Sequence, residues 1–291
     1  MNIHLTTHCV REGMASRYWE PSVENYHHFI LAFFVPLIKY RQQFNDTSKN
    51  KIYIRSFGNM DHMIKSLNYP DLIITNSTQH SLMKIFPENN NIQKYVDLVG
   101  NDYHTNYSKE NFQVVSNIIQ SEFASEISVE KEKILRKFTN EGVKTVLINR
   151  LAPTAFYKTN FSEHRTSGTD RRSIPNIGEI EHTLLSNGIN LITESLEDAS
   201  LWYAIALFQC ADIIVAQHGA ALSTLIFGRP SLKVIEIIPL ITDPIREDPA
   251  RGDHFRLLAK TLDQQYTTLT QESNHSAVNP TNILDKIKSI S

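Results

Sequence analysis

The stretch from Ala211 to Pro239 constrains the fold of this 291-residue chain more than any other. It opens with β-branched residues, Ile213 to Val215, which are typical of a buried parallel strand. A break at His218-Gly219-Ala220-Ala221 follows, and apolar residues then recur at helical spacing until Gly228-Arg229-Pro230 ends the pattern. Val234 to Ile238 predict a second strand. The stretch therefore predicts a strand–helix–strand unit of an α/β fold, with a glycine at its first turn.

The turn at residues 218–222 is a natural seat for a phosphate. The first N–H groups of a helix have no partner within the helix, and they carry partial positive charge. The candidate phosphate ligands here are His218, Gly219, Ala220, Ala221, Leu222 and Ser223. Tight packing alone also explains a glycine at a strand–helix turn, so anion binding and packing both stay open at this point.

Glu236 is the unusual residue of the second strand. A carboxylate between Ile235 and Ile237 on a buried strand is costly unless it is paired or faces a ligand. Open α/β sheets bind ligands beyond the carboxyl ends of their strands. We therefore expect Glu236 to point toward a ligand site.

Three arginines add a basic cluster to this site. Arg150 follows the predicted strand Val143 to Ile148, and Arg171 and Arg172 precede a predicted helix. The planar guanidinium group matches phosphate oxygens in a bidentate manner. Arg171 and Arg172 could also be a solvated loop pair, but together with the glycine turn they favour phosphate binding.

Composition and missing motifs exclude several functional classes. The chain has 29 Lys and Arg against 31 Asp and Glu, so no general attraction to nucleic acid or to an anionic membrane is expected. Cys9 and Cys210 form no metal or redox pattern, and no cluster of acidic or histidine residues has metal-ligand spacing. The phosphate loop, the dinucleotide-binding glycine motif and the nucleophile elbow of hydrolases are all absent.

The alternation of predicted strands and helices indicates two α/β domains, each Rossmann-like. We place a first domain at residues 1–140 and a second domain at 141–275, with a terminal helix at 276–291 that can pack back on the first domain. No secretory signal is evident, and the apolar run Phe29 to Ile38 is too short to span a bilayer. A cytoplasmic protein is expected, with at most peripheral contact at the inner membrane face.

The residues together resemble glycosyltransferase family 61. The resemblance rests on NR at 149–150, RRSIPNIGEIEHTL at 171–184 and the stretch 211–239, and it covers roughly residues 143 to 270. A shorter match in the N-terminal half is the Asn-aromatic-x-His-aromatic pattern of Asn25 to Phe29. The chain departs from the family at Leu201 to Ile205, where a glutamine is common. It also has no transmembrane anchor, which suggests a bacterial-type member.

The resemblance implies an inverting, metal-independent glycosyltransferase of GT-B architecture, with two domains facing a cleft. Its donor would be a nucleotide-sugar, a UDP-sugar in the first instance, and no cofactor or metal is expected. Its acceptor would be a glycan or lipid-linked glycan of a capsule, lipopolysaccharide or other surface polysaccharide. The donor ligands carried over are Asn149, Arg150, Arg171 and Arg172, together with Glu236 for the ribose hydroxyls. Asn176 and Glu179 would orient the arginines or contact the donor.

Inversion in a single step requires a general base beside the acceptor hydroxyl. His28 is the first choice, because its motif opens a helix and imidazole titrates in the useful range. Glu24 is the next choice, and Asp102 or His104 in a polar loop are further candidates. Two other functions stay open: a polysaccharide pyruvyl transferase-like enzyme using phosphoenolpyruvate, and a non-catalytic module for glycan assembly.

Overall fold

The fold was derived from a computed structural model, which describes residues 2–6, 25–42, 51–75, 94–97, 107–158, 167–240 and 253–291. The chain divides into two compact units. Unit 1 comprises residues 1–106 and 156–165, and unit 2 comprises 107–155 and 166–291. The sequence places the division near residue 140, whereas the contacts place it at 106/107.

Unit 1 contains a parallel sheet of four described strands. The strands are β1 (Asn2–Thr6), β2 (Lys51–Arg55), β3 (Leu72–Thr75) and β4 (Lys94–Asp97). Their order is β3-β2-β1-β4, and every pairing is parallel. A 3-10 turn at Gly58–Met60 and α3 (Asp61–Ser66) follow β2.

A buried helical segment follows β1 in unit 1. It consists of α1 (Tyr26–His28), a π-helix (Phe29–Phe34) and α2 (Val35–Gln42). The sequence predicts a helix disturbed at Pro36, and the wider turns lie directly before this residue. The Val35 N–H donates to Ile30 O, five residues earlier. Proline has no N–H and its ring crowds the preceding turn, which accounts for the irregularity. No helix in the described part of the chain is long and apolar enough to cross a membrane.

Unit 2 begins with two helices and continues as a regular α/β series. The helices are α4 (Lys109–Glu122), α5 (Ala124–Leu135), α6 (Gly168–Arg171), α7 (Ile177–Ser186), α8 (Leu201–Cys210), α9 (His254–Thr261) and α10 (Pro280–Ile290). The strands are β5 (Lys144–Asn149), β6 (Asn190–Ser195), β7 (Ile213–Gln217), β8 (Lys233–Pro239) and β9 (Gln265–Gln271). A 3-10 helix, Ala220–Phe227, connects β7 to β8.

The five strands of unit 2 form one parallel sheet in the order β6-β5-β7-β8-β9. The chain moves outward from β5 to β6 and then returns to the other side of β5 with β7. The direction of winding therefore reverses between β5 and β7. In open α/β sheets this reversal leaves a crevice at the carboxyl ends of the two strands, where ligands bind. The prediction of an α/β protein with parallel sheets is confirmed.

Both faces of this sheet are covered. One face packs on α7 and α10 through a core that includes Leu147, Val215 and Ile235. The alternate side chains Val146, Ile214 and Val234 are also fully buried. The terminal helix α10, which the sequence allows to pack on the N-terminal domain, contributes Ile283, Leu284 and Ile287 to the core of unit 2.

Helices α4 and α5 belong to unit 2. Phe123 between them stacks on Trp202 of α8, with ring centroids 4.4 Å apart. Ile127 and Ile134 of α5 are fully buried. Their burial makes the helix pair part of the α/β core rather than a linker.

Candidate donor-binding site

Several of the predicted site residues meet at the carboxyl edge of the unit 2 sheet. Asn149 is the last residue of β5, and Arg150 follows it. His218 directly follows β7, the neighbouring strand. Since both strands are parallel and adjacent, their ends bring Arg150 and His218 together at the point where the winding of the sheet reverses.

The carbonyl oxygen of His218 is the centre of this arrangement. Arg150 Nη2 donates to it at 2.9 Å, and Arg172 Nη1 donates to it at 3.2 Å. Two guanidinium groups thus meet at one main-chain carbonyl at the edge of the sheet, and their planar N–H donors suit an anionic ligand.

Gly219 leaves room for the close approach of Arg150. A Cβ atom built on Gly219 would lie 1.7 Å from Arg150 Nη2. The backbone of Gly219 is fully extended, so backbone conformation does not select glycine at this position. The missing side chain makes room for the guanidinium group of Arg150, which is a packing role of the kind that the sequence left open beside anion binding.

Burial lowers the pKa of Arg150 from 12.5 to about 10. The neighbouring Arg171 also lowers this pKa, and Glu197 opposes the shift. The guanidinium group of Arg150 is still charged at neutral pH. Burial makes this charge energetically costly, and a bound anion would reduce that cost. Arg171 is half-buried, and Arg172 is only 5% exposed.

The predicted helix after the glycine turn is confirmed, and it is a 3-10 helix. Its first residues, Ala220 and Ala221, are partly exposed, whereas Leu222 and Ser223 are fully buried. The N–H groups of its first turn are the ones that a phosphate would meet. The side chains of Leu222 and Ser223 belong to the core, and the exposed small residues leave the backbone accessible.

The ring of His218 is held by a buried carboxylate. Glu236 Oε1 lies 2.6 Å from His218 Nδ1, and its Oε2 accepts a hydrogen bond from the Tyr266 hydroxyl. Glu236 is completely buried. The sequence expected this carboxylate to bind ribose hydroxyls, but both of its oxygens have protein partners. The carboxylate therefore fixes the orientation and tautomer of His218.

Tyr266 is a site residue that the sequence did not indicate. It lies on β9, where it pairs with Val234, two residues before Glu236 on the same face of the sheet. Burial and the neighbouring Glu236 raise the pKa of Tyr266. The alternation of side chains along β8 and β9 places Tyr266 and Glu236 on one face of the sheet. This pattern could identify Tyr266 only if the order of the strands were already known.

Two aromatic residues of α9 complete the surroundings of His218. Its ring meets the rings of His254 and Phe255 edge to face, at centroid distances of 5.2 and 5.4 Å. Phe255 is 1% exposed and anchors α9 in the core. These contacts, with Glu236, immobilise the imidazole at the edge of the sheet.

Asn176 and Glu179 occupy the start of α7. The Asn176 amide brackets the backbone of Val278: its Nδ2 donates to Val278 O at 2.9 Å, and its Oδ1 accepts from Val278 N at 3.0 Å. Asn176 Nδ2 also donates to the exposed Glu179. The described contacts of Asn176 thus fasten the loop before α10.

Asn149 Oδ1 accepts from the Arg150 N–H at 2.8 Å.

Of the predicted bases, His28 lies in unit 1, and Glu24, Asp102 and His104 lie outside the described residues. The neighbours of His28 in its motif have structural roles. Asn25 caps α1 by accepting from His27 N at 2.9 Å, and Phe29 is completely buried. His28 is half-buried. Within the described ranges, no group of three or more histidine, cysteine, aspartate or glutamate side chains is placed to hold a metal ion.

A sequence model of the family described as Glycosyltransferase 61 matches residues 26–235. The match covers more than half of the chain and both of its units. It begins within the N-terminal motif at Tyr26, includes the three arginines and the 218–223 turn, and ends one residue before Glu236. The comparison with curated proteins finds no match.

Proposed function

Because this chain belongs to the glycosyltransferase 61 family and is thus a glycosyltransferase, we propose that unit 2 binds its nucleotide-sugar donor at the sheet edge formed by Arg150, Arg172 and the 218–221 turn. The observation that most supports this site is the pair of guanidinium groups at the His218 carbonyl. Family membership favours glycosyl transfer over the pyruvyl-transfer and non-catalytic alternatives.

The donor in this proposal is a UDP-sugar, and its diphosphate lies over the first turn of the 3-10 helix. Negative charge grows on the diphosphate as the bond to the sugar breaks. Arg150, Arg172 and the N–H groups of Ala220 and Ala221 are in place to stabilise that charge. Preorganised cations of this kind supply the stabilisation that a divalent ion supplies elsewhere, so we propose metal-independent transfer.

The His218 ring provides a further contact to the same ligand in this proposal. Glu236 engages its Nδ1, which leaves Nε2 as the ring nitrogen for a contact with the donor. The buried Glu236 and Tyr266 keep the ring in one orientation, so little rotamer freedom is lost when the donor binds.

The acceptor of the proposed reaction is a glycan whose hydroxyl attacks the sugar carbon with inversion. A general base must remove the proton of that hydroxyl. We propose His28 for this role, since Asn25 and Phe29 of its motif are accounted for by capping and packing. The proposal includes a GT-B arrangement, supported by the presence of a parallel sheet in each unit.

Isothermal titration tests the donor site. We expect the purified protein to bind UDP in preference to GDP and CMP, with the same affinity in the presence of EDTA. Arg172→Ala should weaken binding by about 10- to 100-fold, since a charged hydrogen bond contributes roughly 1.5–3 kcal/mol.

The matched control is Arg229→Ala. Arg229 also donates to a main-chain carbonyl, that of Ala211 at 2.9 Å, and it pairs with Asp212. It lies at the opposite end of β7, so its loss should leave nucleotide affinity unchanged. Absence of binding by every nucleotide, or equal losses in both variants, would contradict the proposed site.

A further inference from the structure

The segment beside Arg172 is held by three hydrogen bonds at the main chain of Ser173. Ser173 directly follows Arg172, and its N–H donates to Asn274 O at 2.8 Å. The carbonyl of Ser173 accepts two side-chain hydrogen bonds, from Gln217 Nε2 at 3.1 Å and from Gln271 Nε2 at 2.9 Å. Both the N–H and the carbonyl of Ser173 are therefore hydrogen-bonded, which fixes the position of this residue.

The two glutamines are buried and bonded to each other. Gln217 is 4% exposed and Gln271 is 1% exposed, and Gln217 Nε2 lies 2.6 Å from Gln271 Oε1. Gln217 Oε1 is buried without a hydrogen-bond partner in the described part of the chain. A buried amide oxygen without a partner is costly, so this polar group lowers stability rather than adding to it.

The glutamines join the two segments that carry the proposed anion site. Gln217 is the last residue of β7 and precedes His218, while Ser173 follows Arg172. A shift of either segment would separate Arg172 from the His218 carbonyl. We propose that Gln217 and Gln271 are positioning residues that hold Arg172 against His218 and so set its place in the diphosphate site; this proposal rests on the proposed donor-binding function.

The competing role for the two glutamines is general support of the loop before α10. That loop has fastenings of its own: Asn176 brackets Val278, and Ser173 Oγ lies 3.0 Å from His275 Nδ1. Each glutamine also bonds this loop directly: Gln271 Nε2 donates to Ser276 O, and Gln217 Nε2 lies 3.4 Å from Asn274 O. Loss of one glutamine amide should therefore remove one of the two hydrogen bonds at the Ser173 carbonyl, while Asn176 and Ser173 Oγ keep the loop attached. A structural role predicts lower stability, and a positioning role predicts a change at Arg172 itself.

The first experiment measures the reactivity of Arg172 in the full-length chain with phenylglyoxal, read by mass spectrometry. Arg172 is 5% exposed and should react slowly in the wild type. Gln217→Met and Gln271→Met should each raise its rate about fivefold, as expected for the loss of about one net hydrogen bond. Should either variant fail to fold, Gln217→Asn and Gln271→Asn shorten the amide and keep the site polar.

The matched control is Asn190→Leu, which removes another buried amide from unit 2. Asn190 is 5% exposed, and its Nδ2 donates to the carbonyl of Asn140 at 2.6 Å, at the amino end of β6. We expect this variant to lose stability like the glutamine variants and to leave the reactivity of Arg172 unchanged. An unchanged rate in both glutamine variants, or an equal rise in the control, overturns the proposal.

The second experiment combines Gln271→Met with Arg172→Ala in a titration with UDP. If Gln271 acts through Arg172, its substitution weakens binding in the wild type and adds nothing once Arg172 is absent. Additive losses overturn the positioning role. If the wild type binds no nucleotide, the proposed donor site fails, and the reactivity of Arg172 still decides whether the glutamines position it.

Discussion

At the scale of single residues, Gly219 offers the sharpest test of the arginine arrangement. Gly219→Ala would bring a methyl group into the space of Arg150 Nη2. The extended backbone accepts alanine, and the displaced atom is the end of a flexible side chain, so the fold should persist. We expect nucleotide affinity to fall about 10- to 100-fold through loss of the Arg150 contact, measured by isothermal titration.

Gly178→Ala is the control for this substitution. A Cβ on Gly178, in the first turn of α7, meets nothing within 4 Å. Alanine should raise the free energy of unfolding by at most about 1 kcal/mol and leave nucleotide affinity unchanged. If Gly219→Ala binds the nucleotide as tightly as the wild type, the contact between Arg150 and the His218 carbonyl is not needed for nucleotide binding.

The residue scale also shows where sequence reasoning stops. The isolated carboxylate of Glu236 signalled that it needs a partner, because a buried charge is otherwise too costly. The sequence could not show that the partners are His218 and Tyr266, since this depends on the order and register of β7, β8 and β9. The structure therefore gives Glu236 a role in supporting His218, which the sequence did not predict.

At the scale of elements, α8 is tied to its neighbours by a polar contact whose strength depends on pH. Lys137 Nζ donates to the Tyr203 hydroxyl of α8 at 2.9 Å and to Glu194 of β6 at 2.6 Å. Burial, assisted by Glu194 and opposed by Lys137, raises the pKa of Tyr203 from 10.0 to about 12. The folded protein therefore keeps this proton at pH values where the unfolded chain has lost it.

This shift predicts a loss of stability at alkaline pH. Its contribution is complete below pH 10 and disappears between pH 10 and about 12, because the unfolded state binds fewer protons there. Tyr203→Phe should make the free energy of unfolding fall less steeply in this range, measured by urea denaturation at several pH values. Because Tyr203 is partly exposed, the difference should be smaller than the full shift implies. If the free energy of unfolding falls equally steeply with pH in the wild type and in Tyr203→Phe, the raised pKa of Tyr203 is contradicted.

Most elements of unit 2 could be predicted from periodicity and end signals. Within the terminal segment 276–291 the sequence predicts a helix from Pro280 to Ile290, and the bounds of α10 agree because Pro280 and the capping Asn279 mark its start. The 3-10 form of Ala220–Phe227 and the π-helix of Phe29–Phe34 were not predicted. Hydrophobic periodicity reports that a segment is helical but does not report the tighter or wider winding of its turns.

At the scale of the whole molecule, the proposed donor contacts all come from unit 2. The family match nevertheless begins in unit 1, at the helical segment that contains His28. The motif residues Asn25 and Phe29 cap and anchor that segment, which holds His28 in a defined place. This distribution leads us to assign donor binding and proton removal to different units.

Such a division predicts that the two functions can be separated by mutation. His28→Ala should leave nucleotide affinity within about twofold of the wild type, while transfer of the labelled sugar falls about 10²- to 10⁴-fold, the usual effect of a general base. His62→Ala is the control, since His62 is an exposed histidine of α3 in the same unit. The control should retain both binding and transfer. Normal turnover of His28→Ala would move the base to Glu24 or Asp102, whereas a parallel loss of nucleotide affinity would show that unit 1 takes part in donor binding.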